Sequence, residues 1–150
     1  MKTERININA INPNAYKPLF DLHNNIKNST LSSTEFLLIQ IRASQINGCA
    51  YCVQMHIKEA IEKGEKQYRI HALPFWEESP FFSKEEKLIL QMTEEITHIS
   101  NLGLQEELYQ KSISAFGEQK VADIIMAIGS INIWNRIGRA TLLTPTPSQS

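Results

Sequence analysis

Arg42-Ala43-Ser44-Gln45-Ile46-Asn47-Gly48-Cys49-Ala50-Tyr51-Cys52-Val53-Gln54-Met55-His56 is the stretch from which the rest of the chain can be read. Just upstream, Ser32-Ser33-Thr34-Glu35 has the pattern of a capping box, in which an N-cap hydroxyl and a carboxylate three residues on each satisfy a free amide of the first turn. A helix is therefore expected from about Ser33 to Gln45. Asn47-Gly48 ends it, because both residues tolerate the left-handed conformation found at helix termini. Helical spacing resumes at Ala50 and runs through Lys63 to a stop at Gly64, which puts Cys49 and Cys52 at the beginning of the next helix.

At about 100° per residue, Cys49, Cys52 and His56 fall within a sector of about 60° and face the same space. The i to i+4 spacing from Cys52 to His56 lets an imidazole reach the thiol directly or through one water, the arrangement of a nucleophile beside a base. The positive end of the helix dipole favours thiolate over thiol, and an imidazolium at His56 is expected to add to that effect at Cys52 more than at Cys49. Thiolate attack on a peroxide gives a sulfenic acid, which a second cysteine one turn back can condense to a disulfide. Other readings of the three residues are weaker. Chance packing of two small buried hydrophobes is the plainest of them. Haem attachment needs His directly after the second Cys, where Val53 stands. Zinc would find three ligands on one helix and no second CxxC or HxxxH to complete a tetrahedron. A thioredoxin-type motif would follow a strand.

Outward from this stretch the pattern stays helical. After Asn12-Pro13, Tyr16, Leu19, Phe20 and Ile26 form one stripe, with His23 on it as a half-buried residue. Glu65 to Leu73 is a short segment halted by Pro74, and Phe75-Trp76 with Phe81-Phe82 reads as rings packed into the core. A second capping box, Ser83-Lys84-Glu85-Glu86, precedes a long amphipathic helix; Gln105 to Phe116 closes at Gly117. Val121 to Leu143 is apolar around most of its circumference, as suits a helix enclosed on all sides or at a subunit contact. Trp134-Asn135-Arg136 reads as helix packing with a polar tip, or as pocket lining. Only Ile6-Asn7-Ile8-Asn9-Ala10 alternates like a strand.

The 150 residues suit one domain: residues 1–12 as an N-terminal arm, 13–143 as an all-helical domain, and 144–150 as a disordered tail. Fifteen basic and sixteen acidic residues, with no basic cluster, exclude a phosphate-backbone stripe and make nucleic acid an unexpected partner. No apolar run reaches the length of a signal peptide or a membrane span, so a cytoplasmic protein without a membrane partner is expected.

The stretch Arg42 to Cys52 with His56 resembles the AhpD-like alkylhydroperoxidase branch of the carboxymuconolactone decarboxylase family. The likeness extends to Leu73-Pro74-Phe75-Trp76, Ser79-Pro80-Phe81-Phe82 and Ile131-Asn132-Ile133-Trp134-Asn135-Arg136, and covers most of residues 15–140. It implies an all-α fold with the CxxC at the start of a central helix, assembly into a trimer or hexamer, and a thiol peroxidase. Carried over, Cys52 would be peroxidatic, Cys49 resolving and His56 part of the proton relay, with no cofactor or metal. The partners implied are a peroxide substrate and a dithiol reductant, such as a lipoyl or thioredoxin-like protein. The family's relay usually includes a glutamate twelve residues before the first cysteine, where this chain has Leu37; Glu35 is accounted for by capping. That departure supports an alternative function, a non-catalytic or redox-sensing helical oligomer.

Overall fold

Both capping boxes form. Ser32 Oγ accepts from the Glu35 amide at 3.1 Å while Glu35 Oε2 accepts from the Ser32 amide at 2.8 Å, and Ser83 with Glu86 repeats the exchange at 3.0 and 2.8 Å. The computed structural model describes residues 3–147. Among these the chain forms seven α-helices and no strand: α1 (Ile8–Ile11), α2 (Pro13–Lys27), α3 (Ser33–Ile46), α4 (Ala50–Glu62), α5 (Gln67–Ala72), α6 (Lys84–Thr97) and α7 (Glu106–Thr141), with a 3-10 turn at Leu73–Phe75.

Helix α3 is the axis of the fold. Phe36, Leu38, Ile39 and Ile41 are buried around its whole circumference, so it packs on α4, α6 and α7 at once. The opposing core is Leu90 and Met92 of α6 with Ile124, Ile128 and Ile131 of α7. Charged groups stitch the periphery: Arg42 of α3 and the Trp76 indole converge on Glu94 of α6, and Arg69 of α5 pairs with Glu65 and Glu86.

Four sequence readings change. Ile6 to Ala10 is not extended throughout: Asn7 Oδ1 accepts from the Ala10 amide at 3.0 Å and starts the single turn of α1, because a local side-chain cap outcompetes a strand with no neighbour. The two expected C-terminal helices meet at Gly117 (φ 76°, ψ 167°), where the second begins at once rather than at Val121. The second is not enclosed on every side, since Ile125, Met126 and Ile133 form an exposed apolar ridge on α7. Of the four aromatic rings near Pro80, Trp76 and Phe82 are buried but Phe75 and Phe81 are exposed.

The two chain ends run beside the core. The Arg5 amide donates to the Thr141 carbonyl at 2.8 Å, and Gln54 Nε2 donates to the Thr146 carbonyl. The rest of the expected tail, 148–150, and the first two residues of the arm lie outside the described residues. No helix among those described is long and apolar enough to cross a membrane.

Candidate functional site

The turn joining α3 to α4 is fixed from both sides. Gly48 sits at φ 63°, and a Cβ there would lie 2.7 Å from Arg139 Nη1, which donates to the Gly48 carbonyl at 2.9 Å. Asn47 Nδ2 donates to the side-chain carbonyls of Asn132 and Asn135, both at 2.9 Å, and Asn135 Nδ2 donates to Ser44 Oγ at 2.9 Å. This ladder ties the end of α3 to α7, so Asn135 is a packing residue; Trp134 beside it lines the site cavity and Arg136 is exposed.

Cys49 is the N-cap of α4, its Sγ accepting from the Cys52 amide at 3.4 Å. The two cysteines are joined in a disulfide, with Cα atoms 5.3 Å apart, and both are buried. Gly138 of α7 makes room for the pair, since a Cβ there would stand 3.0 Å from Cys49 Sγ and 3.4 Å from Cys52 Sγ.

Cys52 opens onto a cavity of about 220 Å³ that His56 and Glu59 of α4 also line. Its walls are apolar: Tyr16 and Phe20 of α2 pack on Trp134 of α7 with ring centres 5.3 and 5.0 Å away, and Ile137 and Leu143 complete that side. Cys49 is not among the lining residues. The two thiols that the sequence places side by side thus differ in access, Cys52 meeting the cavity and Cys49 meeting Gly138.

His56 is 2% exposed, and its Nδ1 is buried without a hydrogen-bond partner among the described residues. Burial pushes its pKa down to about 4; Glu59 opposes the shift, while His23 and Lys27 add to it. With the disulfide closed, His56 is therefore neutral at pH 7, and the imidazolium expected from sequence is replaced by a neutral base. Burial also lowers His23, which is half-buried as expected and lines the same cavity.

The carboxylate nearest His56 comes from its own helix. Glu59 Oε1 accepts from Lys27 Nζ at 2.6 Å and pairs with Lys63 Nζ at 3.2 Å, while Oε2 lies 3.9 Å from His56 Nδ1. Burial raises the Glu59 pKa, but the two lysines outweigh it and hold the carboxyl below its ordinary value. Leu37 is buried in the apolar core, and Glu35 is engaged by Ser32 and Lys120, so neither serves the cavity. Glu59 was legible in principle from its i+3 spacing to His56. Gly138 carried no such signal, because it is 86 residues from Cys52 in the chain.

Fold and site define a helical dithiol domain in which a CxxC starts a central helix and its second cysteine lines an apolar cavity with a buried histidine. Residues 13–95 match the carboxymuconolactone decarboxylase family, and the chain belongs to that family. The uncharacterised protein YdfG of Bacillus subtilis is 38% identical over 138 residues, spanning 92% of this chain and 94% of its own. A crystal structure of a protein of unknown function from Agrobacterium tumefaciens, a proposed AhpD antioxidant defence protein, shares 33% identity and a TM-score of 0.93 over 97% of this chain and 100% of its own. An uncharacterised peroxidase-related AhpD core protein from Ralstonia eutropha gives a TM-score of 0.76 at 20% identity over 92% of this chain and 74% of its own, a likeness of fold alone. The fold is the AhpD-like helical fold.

Proposed function

We propose that the protein is a thiol peroxidase acting on organic hydroperoxides through Cys52 and Cys49. The observation that carries this reading is that Cys52 lines an apolar cavity shared with a neutral, buried imidazole, while Cys49, absent from that lining, is disulfide-bonded to it. In the reduced protein His56 takes the Cys52 thiol proton. The thiolate attacks the distal peroxide oxygen, an S–O bond forms as the O–O bond breaks, and His56 returns the proton to the departing alkoxide. The Cys49 thiol then displaces water from the Cys52 sulfenic acid and closes the disulfide. A dithiol reductant, lipoyl or thioredoxin-like, returns two electrons and two protons by exchange. The apolar walls favour an alkyl over a hydrogen peroxide.

The protein is further proposed to act as a homo-oligomer, trimer or hexamer, through the Ile125, Met126 and Ile133 ridge. Light scattering should return a multiple of 17.1 kDa at micromolar concentration. A second reading, a redox-reporting oligomer without turnover, is favoured by Leu37 at the relay position. Stopped-flow consumption of an alkyl hydroperoxide by the reduced protein separates the two. Rates at least ~100-fold above free thiol, abolished by Cys52→Ser, are expected of the enzyme; a rate equal to free thiol refutes it.

A further inference from the structure

His56 presents a chemical problem that its surroundings partly solve. A neutral imidazole carries one N–H and one lone pair, and its usefulness as a base depends on which nitrogen holds the proton. Nδ1 is the nitrogen sealed from solvent without a hydrogen-bond partner among the described residues, and Glu59 Oε2 stands 3.9 Å from it. That separation is too long for a hydrogen bond, yet a movement of about 1 Å by either side chain closes it. Glu59 is aimed for the purpose. Its other oxygen is held by Lys27 from α2 and Lys63 one turn on, while Oε2, with no hydrogen bond among the described residues, is the oxygen nearer the ring.

We propose that Glu59 is the positioning residue for His56: its Oε2 accepts the Nδ1–H in the reduced protein, fixes the tautomer that leaves the Nε2 lone pair to the Cys52 thiol, and stabilises the imidazolium formed when that proton transfers. Lys27 and Lys63 act through Glu59 by holding its other oxygen. The inference rests on the reading of His56 as the base for Cys52. The groups facing the ring have opposite effects. His23 and Lys27 from α2 disfavour its protonation, and Glu59 on α4 is the one that favours it. Tyr16 and Tyr51 line the same cavity.

The sign of one substitution separates this role from simple proximity. Glu59→Gln keeps size and removes charge. If Glu59 were only a bystander anion near Cys52, removing it would make the thiolate easier to form. Acting through His56, its loss withdraws support from the imidazolium and makes the thiolate harder to form. The measurement is the pH dependence of iodoacetamide labelling of Cys52 in reduced protein, in a Cys49→Ser background, with melting temperature followed in parallel. Glu59→Gln should move the midpoint up by about one pH unit and slow labelling at pH 7 about fivefold. Glu59→Asp, which keeps the charge, should recover at least half of the midpoint shift. In a His56→Gln background Glu59→Gln should no longer slow labelling. A midpoint that falls or stays put, or an equal effect with and without His56, overturns the proposal. Labelling does not require peroxide turnover, so a protein that fails to consume peroxide yet shows this pattern loses the peroxidase reading and keeps the Glu59 role.

Discussion

Helices α2 and α3 are nearly the same length, but they are held in opposite ways. Eight of the fourteen residues of α3 are buried, against one, Ile26, of the fifteen in α2. Helix α3 is locked by core packing and ends in the hydrogen-bonded turn that delivers Cys49. Helix α2 lies over the cavity on a few contacts: Tyr16 and Phe20 on Trp134, His23 edge-on to Phe36, and the Lys27–Glu59 pair. The dithiol is thus mounted on a rigid frame while one wall of its cavity is lightly attached. That division suits the proposed peroxidase, which would hold two sulfurs in register yet admit a substrate and a reductant.

The most severe way to test the contrast is to truncate one residue on each helix. Ile39→Ala empties a fully buried position of α3 and should cost about 2–5 kcal/mol in urea unfolding, whereas Phe20→Ala, at a half-exposed ring, should cost no more than about 1–2 kcal/mol. Equal losses would show that α2 is as integral to the core as α3. Hydrogen exchange sharpens the same point: amides of α2 should exchange well before those of α3.

Acid should reveal His56 next. Its folded pKa of about 4 lies below the ordinary 6.5, so between those values the unfolded chain binds a proton that the folded one refuses. Stability contributed by the neutral ring is complete above pH 6.5 and is lost as the pH falls toward 4, by on the order of 3 kcal/mol. The half-buried His23, also lowered, contributes in the same direction. Glu59, held below its ordinary 4.5, gives up its contribution at lower pH still. Urea midpoints measured from pH 7.5 to 4 in wild type and His56→Gln check this; an unchanged slope in the variant would remove His56 from the account.

A smaller effect than at Ile39 or His56 is expected at Gly138→Ala. The added methyl meets Cys49 Sγ at 3.0 Å, and relief requires a shift of the disulfide or of α7, costing about 1–3 kcal/mol. A variant as stable as wild type, with its disulfide intact, would show that the contact between α7 and the dithiol is looser than it looks.

Most of the architecture was legible because it is written in local signals. Two capping boxes, the Asn47-Gly48 break, the stop at Gly64 and the boundary at Gly117 all depend on residues within one or two turns of each other, and the helices observed start and end within a few residues of those marks. The placing of Cys49 at the cap of α4 and of Cys52 and His56 one turn apart within it is local in the same sense. The strand-like alternation of Ile6 to Ala10 misled because periodicity reports a face and not a partner, and no strand lay nearby to pair with it. The sequence by itself therefore determined most of the helices and their order, and set Cys49, Cys52 and His56 at helical spacing. Only the tertiary structure decided that Cys52 and not Cys49 faces the cavity, that His56 is buried deeply enough to stay neutral, that Glu59 is held and aimed by Lys27, and that Gly138 seats the sulfurs. Each of these depends on desolvation or close approach between segments far apart in the chain, and neither quantity exists until the helices are packed.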